Sequence, residues 1–70
     1  MFQVGDRVIH HASGQSGSVI GYGHQIVDGV FQTTLIVRVV RDKELGQTGV
    51  VEDLSANWIP DEEDIHSQVA

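Results

Sequence analysis

Histidine, serine and paired acids are the side chains of this chain that could do chemistry. Four histidines in 70 residues, His10, His11, His24 and His66, raise the possibility of a metal site. On a strand, however, the adjacent His10 and His11 point to opposite faces and cannot share one ion. His10 or His11 could meet His24, but no cysteine exists and no well-placed carboxylate completes the set, so no metal and no cofactor is expected. Ser13, Ser16 and Ser18 lie close to His10 and His11, which are the residue types of nucleophilic catalysis. A triad is defined by roles in space, and a very small domain offers little pocket to exclude water. Glu52 and Asp53 are strand neighbours that should diverge rather than act as an acid–base pair. The expectation is a protein that is not an enzyme.

The elements that would position these residues read as short strands. Phe2-Gln3-Val4-Gly5-Asp6-Arg7-Val8-Ile9-His10 interleaves polar and apolar residues, so that one face buries Val4 and Val8 while Arg7 stays wet. Gly14 and Gly17 mark a tight reversal before Ser18-Val19-Ile20-Gly21-Tyr22, a second strand. A phosphate-cradling loop would need a helix after those glycines, and a strand follows instead. Gly21 and Gly23, around Tyr22, predict a bend or bulge, after which the strand resumes at Gln25-Ile26-Val27. Asp28-Gly29 predicts a two-residue type I′ hairpin. The longest strand, Gln32 to Arg41, is rich in β-branched residues. Its odd set, with Phe31, Thr33, Leu35, Val37 and Val39, should face the core, and Gln32, Thr34, Ile36, Arg38 and Val40 should face outward.

After a polar connection, Thr48 to Glu52 read as a fourth strand, and Asp53 to Asn57 have room for one 3₁₀ turn. Trp58-Ile59-Pro60 is a brief last strand, with proline at an end where its missing N–H is harmless. Five strands and one 3₁₀ turn define the expected fold class: an all-β, SH3-like small barrel over residues 1–60. Residues 61–70 are expected to form a flexible acidic tail. The tail has helix-start features, proline and then four acids, but is shorter than an isolated helix needs.

Composition narrows the function. A chain of this size buries only about 60% of the surface its unfolded form exposes, and without cysteine the core alone must hold it. No apolar run approaches the roughly 20 residues of a membrane span, and no signal-peptide core is evident, so a cytoplasmic protein is expected. Four basic residues face six acidic ones over residues 1–60, a net −2, and Asp61-Glu62-Glu63-Asp64 supplies the rest of the formal −6. Binding to nucleic acid through counterion release needs a basic footprint, which this chain lacks. The remaining class is protein interaction. Tyr22, Ile36, Arg38, Val40 and Arg41 are the candidate protein-binding residues, a modest amphipathic patch on the outer face of the long strand.

With Phe2-x-Val4-Gly5-Asp6-Arg7-Val8-x-His10, glycines at 14 and 17 and Val19 after them, the first 20 residues resemble Tudor and SH3-like modules of bacterial transcription proteins. They are similar to the N-terminal domain of the CarD family and to the C-terminal Tudor domain of the UvrD and PcrA helicases. That resemblance implies RNA polymerase, or another large assembly, as the partner. Gly14-x-x-Gly17 departs from the tighter Gly-x-Gly of those modules and looks more like the KOW motif, which implies an RNA- or ribosome-associated binder instead. A third likeness is to small SH3-like accessory subunits of photosynthetic electron-transfer complexes. These families share a fold and differ in partner.

Overall fold

The computed structural model describes residues 2–61. Five strands, β1 (Arg7–His10), β2 (Ser16–Val27), β3 (Val30–Asp42), β4 (Gln47–Leu54) and β5 (Trp58–Pro60), form one antiparallel sheet in the order β4-β3-β2-β1-β5, with a 3₁₀ turn over Ser55–Asn57. The five strands and the 3₁₀ turn before the last of them are those expected from the sequence. The acidic segment beyond Asp61 lies outside the described residues.

Each reversal follows from local chemistry. Between Gln3 and Asp6 the chain makes a tight turn, closed by the Asp6 amide on the Gln3 carbonyl at 3.0 Å and opened at Gly5 by a φ of 98°. That turn precedes β1, so Val4 is exposed rather than part of the core as its alternation with Val8 suggests. Asp28 and Gly29 carry φ values of 51° and 79°, the two positive angles of the type I′ hairpin. The Asp42 carboxylate accepts the amides of Glu44 and Leu45 at 2.9 and 3.1 Å and folds the β3–β4 turn.

Gly17 has a different role from the chain reversal its spacing suggests. It is buried inside β2, opposite Val39, where a Cβ would collide with the Arg38 backbone carbonyl. Only a residue without a side chain lets β2 and β3 cross there. Two residues on, a bulge between Val19 and Gly21 curls the sheet as the glycines predict, but β2 runs through it as one strand.

The core is Val8, Val19, Leu35, Val37, Val39 and Trp58, with Phe2 and Val51 packed against it. The odd residues 35, 37 and 39 of β3 are fully buried as expected, but Thr34, expected to face outward, is covered by β4 at 1% exposure, and Phe31, expected in the core, is 73% exposed. The physical reason is coverage. β4 pairs with β3 only as far as Thr34, so residues 30–33 have no barrel beneath them. The distal halves of β2 and β3 therefore project as a two-stranded ribbon, and the molecule measures 43 × 29 × 20 Å.

Candidate functional site

Two arrangements concentrate polar side chains. The first lies at the seam where the sheet closes. His10, at the end of β1, places Nε2 2.7 Å from Oδ2 of Asp53 on β4 and Nδ1 3.0 Å from Oγ of Ser13. The Ser13 amide, which can only donate, lies 3.2 Å from Nδ1, so that nitrogen accepts and Nε2 carries the proton toward Asp53. Asp53 also accepts the Leu54 amide at 2.7 Å and the Asn57 side chain at 3.1 Å. His10, then Leu54 and Asn57, hold its carboxyl below the ordinary 3.8, against a smaller opposing effect of burial.

Serine, histidine and aspartate thus meet in the order of a proton relay, which the spacing of Ser13 and His10 left undecided. The serine is consumed by its turn. Its amide occupies the imidazole lone pair, and its hydroxyl accepts the Gln15 amide at 3.3 Å and lies 3.4 Å from Gln15 Oε1. Around this seam His10 stacks edge-on against Trp58 with ring centroids 4.8 Å apart, Trp58 Nε1 donates to the Asp53 carbonyl, and the His11 amide bonds Asn57. The His10–Asp53 and Trp58–Asp53 contacts tie the β1–β5 side of the sheet to the end of β4, and the His11–Asn57 bond ties it to the turn that follows. They close the barrel. His11 lies past the end of β1, and among the described residues no three histidine or acidic side chains converge as a metal site would require.

The second arrangement is the outer face of the sheet. Residues paired across antiparallel strands share a face, so the register fixes which side chains meet. Arg38 stands between Ser18 of β2 and Val50 of β4, Ile36 between Gly21 and Glu52, and Val40 beside Thr48. Val40 and Val50 are 42% and 55% exposed. On the far side of Ser18, Arg7 donates to its hydroxyl at 3.3 Å and approaches Asp61 at 3.9 Å. Arg7, Ser18, Arg38 and Val50 therefore form a row across four strands. Arg7 is engaged. Arg38 makes no side-chain hydrogen bond or ion pair among the described residues, and the register sets it on one face with Ser18, Ile36, Val40, Val50 and Glu52.

The face unites Ile36, Arg38 and Val40 but not all five candidate residues. Tyr22 pairs with Leu35 and so belongs to the opposite face, where its hydroxyl donates to the Phe2 carbonyl at 2.5 Å. Arg41 follows Val40 at a register shift, and its guanidinium lies over Gly49, which pairs with Val39 on the core side. Val50 was missed because a single exposed valine in an edge strand has no sequence signature. Its place opposite Arg38 depends on the β3–β4 register. Glu52 and Asp53 diverge as expected, Glu52 accepting the Thr34 hydroxyl at 2.6 Å on the outer face and Asp53 taking the seam.

The sequence matches no protein-family model, and no curated protein or solved structure is significantly similar to it. Among the described residues, no helix is long and apolar enough to cross a membrane.

Proposed function

We propose that this protein is a non-catalytic interaction module that docks on a protein partner through the outer face of β2, β3 and β4. The observation that carries the reading is Arg38, an exposed guanidinium without a partner among the described residues, set among Ile36, Val40 and Val50. A surface of this kind recognises an apolar side chain next to a carboxylate, because the arginine fork pairs with the acid while the valines exclude water around it.

The partner class follows from the resemblance of the first 20 residues to the CarD and UvrD/PcrA modules, which suggests RNA polymerase or another large assembly. An RNA- or ribosome-associated role, implied by the KOW-like glycine turn, fits less well with a formal charge of −6. Binding measured with purified RNA polymerase and with ribosomal RNA, each at low and at moderate salt, separates the two. Retention of polymerase at moderate salt is the expected result. Binding to RNA alone, collapsing steeply as salt rises, would replace this reading with the second.

A further inference from the structure

A two-stranded ribbon is marginal in water by itself, yet the distal β2–β3 hairpin extends beyond its neighbours with its apolar residues outside. Ile26, Phe31 and Val30 are 61%, 73% and 59% exposed, and Tyr22 is 44% exposed. On one face the register places Tyr22, His24 and Ile26 of β2 beside Leu35, Thr33 and Phe31 of β3, and His24 meets Phe31 edge-on at 6.5 Å.

The backbone is open as well. Val27 and Val30 flank the two-residue turn and form its closing hydrogen-bonded pair, so bonding to β3 falls on Val27, Gln25 and Gly23. The N–H and C=O groups of Tyr22, His24 and Ile26 then point away from β3, toward an edge along which the N-terminal segment makes its last backbone bonds at Val19 and touches only the Tyr22 hydroxyl, through the Phe2 carbonyl. Natural edges are protected by lysine, proline or inward charge. This one carries none of them.

We infer that the β2 edge of the ribbon pairs antiparallel with the same edge of a second copy, about a two-fold axis at His24. In that register His24 exchanges both backbone hydrogen bonds with its counterpart. Tyr22 of each copy pairs with Ile26 of the other, and the aromatic and aliphatic side chains form one row ending in Phe31.

Charge leaves this edge as the one that two copies can share. The chain is strongly acidic, and two copies repel over most surfaces, but from Ile20 to Val37 the only charged side chain is Asp28 in the turn. The edge of β4 would bring Glu52 and Asp53 toward their counterparts, and β5 is three residues long and ends in proline. Antiparallel pairing also sends the two acidic barrels to opposite ends of the ribbon. At about 200 Å² for a free side chain of this size, the exposures of Tyr22, Ile26 and Phe31 leave on the order of 350 Å² per copy. With the strand edge, the pair approaches the ~1,200 Å² at the lower limit of specific interfaces, the size class of weak, reversible association.

Sedimentation equilibrium on the full chain tests this, with backbone amide exchange read in parallel. The expected result is a species of twice the 7.6 kDa chain mass at high concentration, with the Tyr22, His24 and Ile26 amides protected only there. His24→Pro removes an outward N–H next to the permissive Gly23, and Ile26→Lys places a charge on the same edge. Each should weaken the dimer at least tenfold while circular dichroism still reports the folded sheet. Because the two variants act differently, one that fails to fold leaves the other decisive. A wild type that stays monomeric up to about 1 mM, or a dimer unaffected in a folded variant, would overturn the inference.

Discussion

His10 on β1 and Asp53 on β4 are 43 residues apart in sequence and three strands apart in the sheet, yet their side chains meet at 2.7 Å. The contact exists because the sheet rolls until one side reaches the other, and Trp58 is buried beneath it. A domain of this size has few buried side chains to spare, so a charge-assisted hydrogen bond at the seam matters more than a surface ion pair would.

We predict that Asp53→Asn lowers the melting temperature at neutral pH by about 5–10 °C, the effect of losing roughly 1–2 kcal/mol of charge-assisted hydrogen bonding. The sign of the pH dependence follows from the depressed carboxyl. Its stabilising contribution is present above the ordinary 3.8 and is lost as pH falls through the lower value of the folded state. Thermal melts of both proteins across pH 2–7 should show a gap that persists to about pH 4 and closes below it. A gap that stayed open at pH 2 would mean that the carboxylate charge is not the cause.

Glycine substitutions should separate close approach from backbone angle. At Gly17 a Cβ meets the Arg38 carbonyl, which cannot move without disturbing the β2–β3 ladder. At Gly14, with φ of 75°, a Cβ meets nothing within 4 Å. Gly17→Ala should cost about 3 kcal/mol or more, against about 1–2 kcal/mol for Gly14→Ala, as read from urea midpoints. Equal losses at the two sites would contradict the steric account of Gly17.

The covered and the projecting parts of β3 should respond unequally to truncation. Leu35 is fully buried, so Leu35→Ala should destabilise by about 2–5 kcal/mol. Phe31→Ala, on the ribbon, should change the stability of the monomer by less than about 0.5 kcal/mol. Denaturation at low micromolar concentration measures both, and a large loss at Phe31 would mean that the ribbon folds back on the barrel.

What could be read from the sequence was what depends on near neighbours. Asp28-Gly29, the glycines around Tyr22, the alternation of Leu35, Val37 and Val39 and the short segment before Trp58 each report a local preference, and each element lies where that preference places it. Phe31, Val4 and Thr34 were misread because burial depends on what covers a strand, and alternation says nothing of where β4 or β1 ends. The bulge at Val19 and Gly21 is visible in its glycines, but the register beyond it, which takes Tyr22 away from Ile36 and Arg38, emerges only from the pairing. The seam of Ser13, His10 and Asp53 joins distant segments, and no spacing encodes it.

Whether Arg38 and its aliphatic neighbours form a docking face is decided by a binding titration of the wild type and Arg38→Glu against purified RNA polymerase at moderate salt. Arg38 is exposed and lacks a partner among the described residues, so the substitution should leave the melting temperature within about 2 °C. The prediction is at least a tenfold loss of affinity in Arg38→Glu, with Arg41→Glu, on the other face, affected less. Equal affinity of Arg38→Glu and the wild type would contradict the proposed face, and no binding by the wild type would contradict the proposed partner.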